Sequence, residues 1–159
     1  MKPPEIRNAI RDFLNLVEST DGTTEDAESR LVPVLDRLAL AQSFVSFTFD
    51  EADYPDSPDQ SYNDLRKLVS KRFPNYGYYN VADPITSDIG EAGSIVGDAI
   101  DELADIARDL YDAEWYWANT SEANALFHLQ QSYHTHWRRH LREFQLYLDA
   151  LALDRDLAE

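Results

Sequence analysis

Cysteine is absent from this chain of 159 residues, which excludes both disulfides and thiolate metal sites. A chain without cross-links has the reducing cytosol as its default compartment, so we expect a cytoplasmic protein. No apolar run approaches the ~18 residues of a membrane-spanning helix. The N-terminal segment carries charges at Arg7, Arg11 and Asp12, unlike a secretory signal peptide. Neither membrane insertion nor secretion is therefore expected.

Positive charge is also scarce. The chain has 14 basic residues against 30 acidic ones, which gives a formal net charge of -16. Such a field repels phosphate backbones, so nucleic acid is not an expected partner. The charge is compatible with basic proteins or divalent metal ions as partners, and equally with a role in solubility alone.

The length fits one domain, residues 1–159, and the 43% of hydrophobic residues is typical of a globular chain. Apolar residues recur with a helical period in five segments. These segments open near Pro4, Thr24, Ser61, Ser94 and Ser121, and the last is expected to extend to Leu153. Pro33 predicts a kink or a late start in the second helix. The sequence thus predicts an all-α, single-domain bundle of about five helices.

A long aromatic loop is predicted before the last two helices. Between residues 75 and 93 the helical period disappears, and tyrosines and glycines accumulate. Long irregular segments are uncommon in compact domains, so this one is functional, disordered or a missed element. The stretch Tyr78–Val81 fits a short extended piece lying over the bundle.

The fourth helix carries a stripe of carboxylates opposite its apolar face. Its aspartates recur three or four residues apart, with Glu102 beside them: Asp98, Asp101, Asp105, Asp109 and Asp112. Two interpretations compete. The stripe is either a solvated face, which the geometry of a simple bundle favours, or a site that collects a cation or a basic partner. On this projection Asp105 points away from the core.

Two histidines lie on the apolar side of the fifth helix. His140 lies within the predicted core face, so its ring needs a hydrogen-bond partner or a role as a ligand. His136 lies one turn earlier, and such a pair can bind one metal ion. Zinc normally needs three or four protein ligands, and spacing identifies no third. We expect His128 and His134 to be surface residues.

The polar side of the same helix is basic, with Arg138, Arg139 and Arg142. A subunit contact would follow if these arginines met the acidic stripe of a second copy, giving a homodimer. The alternative is that both are ordinary surfaces, because exposed ion pairs contribute little.

Three segments resemble the bacterial proteins grouped as domain of unknown function 5063: Tyr78–Pro84, Asp101–Leu110 and His136–His140. The resemblance covers nearly half the chain, from Tyr78 to Leu151. It implies a helical bundle in which the tyrosine segment, the acidic helix and the His-Trp-x-x-His turn belong to one pattern. It implies no activity.

A looser likeness concerns the all-helical nucleotide pyrophosphohydrolases, in which paired acidic motifs bind Mg²⁺. Glu102 and Asp105 look like the second of those motifs, and Mg²⁺ there would bridge the phosphates of the substrate. The earlier pair that matches, Glu25 and Glu28, lies more than seventy residues away, unlike the pattern of that family.

Three hypotheses follow. The leading one is a non-enzymatic module that binds a protein or its own copy through Tyr78, Tyr79, Asp83 and the surface near Trp137. The second is an enzyme that acts on a phosphorylated small molecule with Mg²⁺ or Mn²⁺ at Glu102, Asp105 and Asp109. The third is a small-ligand pocket in which His136, His140 and Tyr79 converge.

Overall fold

The structure is a computed structural model, and it describes residues 1–83 and 85–158. The α-helices are α1 (Pro3–Glu18), α2 (Thr24–Gln42), α3 (Tyr62–Arg72), α4 (Ala99–Asn119), α5 (Glu122–Ser132) and α6 (Arg138–Ala158). A π-helical turn, Tyr133–Trp137, joins α5 to α6 so that the three form one long helix. The expectation of a mostly α-helical bundle is confirmed. No helix among the described residues combines the length and the apolar character needed to cross a membrane.

The helix starts follow their capping residues. Thr23 and Asp26 form a capping box, so the cap of α2 is Thr23, one residue before the Thr24 that the sequence indicated. The helix then continues through Pro33, so the expected late start is wrong. Ser121 accepts a hydrogen bond from the Asn124 backbone and caps the last helix as predicted.

The aromatic loop contains a hairpin that the sequence indicated only in part. Strand β1 (Tyr78–Ala82) pairs antiparallel with β2 (Ser94–Asp98), and Tyr79 lies opposite Gly97. The fourth helix therefore begins at Ala99, not near Ser94, and its cap is Asp98. The apolar residues Ile95 and Val96 imitated a helix start because a short apolar run does not distinguish helix from strand. Pro84, which ends the tyrosine segment, lies outside the described residues.

Helix α4 occupies the centre of the bundle. It contacts α1, α3, α5 and α6, so most of its circumference is covered by other helices. Its apolar side is fully buried, as the zero exposure of Leu103, Ile106 and Leu110 shows. The expectation that its acidic face is simply solvated is consequently wrong for the middle of the helix. The Glu102 residue is only 6% exposed, and the Asp105 side chain only 13%.

The long C-terminal helix completes the core beside α4. Its core-facing residues succeed one another mostly at intervals of four, and all are buried: Leu129, Tyr133, Trp137, Leu141, Phe144 and Leu148. Four residues turn an α-helix by 40° more than a full turn, at ~100° per residue, so three such steps in a row would carry the apolar face round by about 120°. The wider π-helical turn absorbs this drift and keeps Trp137 in the core.

Candidate metal centre

The candidate site lies where α4 faces the start of α6. Helix α4 contributes Glu102, Asp105 and Asp109, which share one face because they are three and four residues apart. The π-helical turn contributes His136, and α6 contributes His140 one turn later. Five polar side chains thus meet between two neighbouring helices.

Each histidine is held by a carboxylate from α4. His140 Nδ1 lies 2.5 Å from Glu102 Oε2, and His136 Nδ1 lies 2.5 Å from Asp109 Oδ2. An ionised carboxylate only accepts hydrogen bonds, so both Nδ1 atoms act as donors. The Nε2 atom of each neutral ring then carries the free lone pair.

Both Nε2 atoms face the carboxylate of Asp105. His140 Nε2 is 3.8 Å from Asp105 Oδ2, and His136 Nε2 is 4.0 Å from Asp105 Oδ1. These separations are too long for hydrogen bonds. The potential ligand atoms of Asp105, His136 and His140 all lie within 4.8 Å of one another, which leaves room for an ion among them.

The charges around the site perturb its titrating groups. The hydrogen bond to Glu102 raises the pKa of His140 above its ordinary value, although burial of the ring opposes this. Burial raises the pKa of the Asp109 carboxyl, and the hydrogen bond from His136 opposes that rise. Arg108 offsets part of the negative charge through an ion pair of 3.0 Å with Asp105. A proton and a metal cation therefore compete for the His140 ring.

The hairpin supports the site through Tyr79. Its hydroxyl donates a hydrogen bond of 3.1 Å to Glu102 Oε1, on the same carboxylate that holds His140. The ring stacks on Tyr147 at 4.7 Å between centroids. A Cβ atom on Gly97 would lie 2.5–2.8 Å from the Tyr79 ring, so only glycine at this position lets the ring lie flat across β2. Burial and the nearby Glu102 raise the pKa of Tyr79, which keeps its proton in place.

A cleft of about 560 Å³ opens beside the histidines. His136, His140 and Glu102 line it from the bundle, and Val81, Ile95 and Val96 line it from the hairpin. Three arginines and Glu143 at the start of α6 also line it, as do His134 and Thr135 of the π-helical turn. The volume is in the range of ordinary small-molecule sites.

The other residues singled out from the sequence lie outside this cluster. Trp137 is fully buried with its indole N–H donated to Ser132, so the expectation that it marks a contact surface is wrong. Tyr78 is 75% exposed on the outer face of the hairpin. Asp83 is exposed and accepts a hydrogen bond from the Ile85 backbone.

The small-ligand hypothesis placed Tyr79, His136 and His140 in one pocket. Glu102 joins Tyr79 to His140, but Tyr79 lines a neighbouring cleft and not the one that His136 and His140 line. Sequence reasoning missed Asp105 as the carboxylate between the two rings. The sequence signal that could have revealed it is the spacing of the acidic residues on α4 compared with the spacing of the two histidines. Glu102 and Asp109 are two helical turns apart, so they flank Asp105 and can reach two histidines that lie one turn apart.

His128 is half-buried rather than a surface residue, since its ring stacks on Tyr116 at 3.7 Å between centroids. His134 is exposed, as expected.

Comparison with known proteins identifies a family and a fold. A family described as Domain of unknown function (DUF5063) matches residues 4–153. No curated protein matches the chain. The crystal structure of protein BF1032 from Bacteroides fragilis is similar with a TM-score of 0.73 at 16% sequence identity, over 93% of this chain and 90% of that one. At this identity the likeness shows a shared fold alone.

Proposed function

The chain belongs to the family described as Domain of unknown function (DUF5063), and we propose that this member binds a divalent transition-metal ion at Asp105, His136 and His140. The observation that carries the proposal is the orientation of the two rings. Each gives Nδ1 to a carboxylate and turns Nε2 toward Asp105. Metal-binding histidines in proteins are held in just this way, by a carboxylate on the nitrogen that does not bind the metal.

The ligand atoms must move closer together to hold an ion. Tetrahedral zinc with bonds of about 2.0–2.1 Å needs its ligand atoms about 3.4 Å apart. The gaps of 3.8 and 4.0 Å to Asp105 would close by roughly half an ångström, and the widest separation in the set, up to 4.8 Å, by more. Two imidazoles and one carboxylate suit zinc and its neighbours better than Mg²⁺, which prefers oxygen ligands. Glu102 and Asp109 then orient the histidines instead of binding Mg²⁺ or Mn²⁺ themselves.

Three protein ligands leave one coordination position open. Structural zinc sites have four protein ligands, whereas catalytic ones keep a position for water or substrate. The rings of His136 and His140 line the cleft, and the open position would face it. An ion there would act as a Lewis acid and would lower the pKa of a bound water. The function that this geometry supports best is metal-dependent chemistry, of the hydrolytic kind, on a substrate in the cleft.

Calorimetric titration of the metal-stripped protein with Zn²⁺ tests the proposal. We expect one ion per chain, and Asp105→Asn or His136→Gln should weaken binding by at least about 100-fold. Asp109→Asn removes only the partner of a ligand and should weaken binding by about 10–100-fold. His134→Gln is the matched control, because this exposed histidine lies on the same π-helical turn outside the cluster. Equal affinities in the Asp105→Asn variant and the control would refute the proposal.

A second function, self-association through the hairpin, is favoured by exposed apolar residues on its outer face. Tyr78 is 75% exposed and Val96 68% exposed, and they lie on the same face because Val96 pairs with Asn80, two residues after Tyr78. Large apolar side chains exposed together are typical of interaction surfaces. The oligomeric state of the chain in solution is the corresponding test.

A further inference from the structure

We infer that the cleft binds a small organic phosphate, and this inference rests on the proposed metal site. The phosphate group would lie between the metal ion and the arginines of α6, and the organic part would lie against the hairpin. Three features of the residues that line the cleft support this assignment: their positive charge, their free N–H groups and their apolar side chains.

The first feature is the concentration of positive charge in an acidic molecule. Arg138, Arg139 and Arg142 outnumber the two acidic residues of the lining, Glu102 and Glu143, although the chain as a whole has only 14 basic residues and a net charge of -16. The arginines lie within five residues of one another and flank His140 in the sequence. A cluster of guanidinium groups beside a bound cation would make this one cleft attractive to an anion.

The second feature is the number of N–H groups that remain for a ligand. Arg139 donates from Nε to Glu143 at 2.6 Å, and Arg142 donates from one terminal nitrogen to Gln145 at 3.1 Å. Arg138 lies over the ring of Tyr133 at 5.9 Å from its centroid. A guanidinium carries five N–H donors in a planar fork that matches phosphate oxygens. Among the described residues, each of the three arginines therefore has N–H groups that make no hydrogen bond within the protein and can bind such a ligand.

The third feature is the apolar wall. Val81 and Ile95 lie opposite each other on the face of the hairpin that lines the cleft, and Ile95 remains 51% exposed. An inorganic ion would leave this wall in water, whereas an organic group bound there would bury it. The cleft volume of about 560 Å³ accommodates a small molecule. A nucleic-acid chain is disfavoured because the rest of the surface repels a polyanion.

The test titrates the zinc-loaded protein with inorganic phosphate and with phenylphosphonate, a non-hydrolysable organic analogue. We expect both to bind, with phenylphosphonate tighter by about fivefold or more because its ring buries apolar surface of the hairpin. The double variant Arg139→Gln and Arg142→Gln should weaken both ligands at least about tenfold, since charge-assisted hydrogen bonds are lost. The control, Lys67→Gln with Lys71→Gln, changes the net charge equally on α3, outside the cleft.

The outcomes separate this inference from the proposal on which it rests. If zinc binds but neither phosphate compound does, the metal site stands and the inference is overturned. Equal weakening in the arginine and lysine variants would overturn it as well, because bulk charge would then explain the binding. If phenylphosphonate binds no more tightly than phosphate, the organic part of the ligand does not lie against the hairpin, and that part of the inference is overturned. A protein that binds no zinc overturns both statements.

Discussion

At the scale of single residues, the site depends on how carboxylates and imidazoles share their hydrogen bonds. Glu102 illustrates this, because one oxygen accepts from Tyr79 and the other from His140. A buried carboxylate with both oxygens occupied holds its partners in fixed orientations. The direction of the His140 ring is therefore set by residues that do not themselves touch the proposed ion.

Gly97 supplies a test of this support. In Gly97→Ala the new methyl group would overlap the Tyr79 ring, so the ring has to leave its place above β2. We expect the variant to lose about 1–3 kcal/mol of stability, as overpacked positions do, and to bind zinc more weakly because Glu102 loses one partner. Thermal unfolding and zinc calorimetry measure the two effects.

Gly93→Ala is the matched control, since no heavy atom lies within 4 Å of its added Cβ. Tyr79→Phe separates the two causes, because it removes the hydrogen bond to Glu102 and keeps the ring. If Gly97→Ala unfolds at the same temperature as Gly93→Ala, the close approach of the ring to the β2 backbone is wrong.

At this scale the sequence indicated which polar residues matter but not which of them contact one another. The need of His140 for a polar partner followed from its position on an apolar face, and Glu102 meets it. Asp105 was assigned to solvent because a helical projection has only two sides. In the fold α4 is surrounded by neighbours, so the side opposite its apolar stripe meets another helix. Spacing along one helix contains no information about which helix lies opposite.

At the scale of secondary-structure elements, helix starts were predictable where the cap is local. Ser121 was identified correctly because its side chain bonds to a backbone only three residues ahead. The start of α4 was misplaced because β2 is defined by its pairing with β1, from Ser94 opposite Ala82 to Asp98 opposite Tyr78. A strand that depends on a distant partner has a weaker signal in its own sequence.

Asp98 is the element-scale test, since it both caps α4 and binds α3. Its Oδ1 accepts from the backbone N–H of Ile100 at 3.0 Å, and its Oδ2 accepts from Arg66 at 2.5 Å. We expect Asp98→Ala to lower the free energy of unfolding by about 1–2 kcal/mol, because a cap is lost. Urea denaturation measures the loss.

Asp98→Asn distinguishes the two roles of this side chain. Asparagine still caps a helix, so this variant should lose only the ion pair with Arg66, worth about 0–1 kcal/mol for a partly exposed pair. The assignment of Asp98 as the cap fails if the alanine and asparagine variants lose the same stability.

At the scale of the whole molecule, the net charge of -16 opposes the meeting of two copies. Within one copy the acidic residues are partly compensated, as when Arg7 and Arg11 both bind Glu114 at 2.7 Å. The remaining field is screened by salt over about 8 Å at physiological ionic strength. Self-association through the hairpin must therefore depend on the salt concentration.

We expect the dimer fraction to rise with sodium chloride and to fall in the double variant Tyr78→Ser and Val96→Ser. Light scattering coupled to size-exclusion chromatography measures it. A control that replaces Leu40 and Leu153 by serine removes exposed apolar surface elsewhere, since these residues are 54% and 65% exposed. A monomer at every salt concentration would exclude the association.

The cross-helix pairs also determine which part of the molecule can move. Glu102 with His140 and Asp109 with His136 tie α4 to the long C-terminal helix at two levels, so a slide of one helix past the other would break both ties at once. The hairpin is attached to the bundle through Tyr79, through the ion pair of Asp98 with Arg66, and through the Gly77 backbone, which bonds to Ala99 and Tyr147. We therefore expect the two helices to keep their relative position when a ligand enters the cleft.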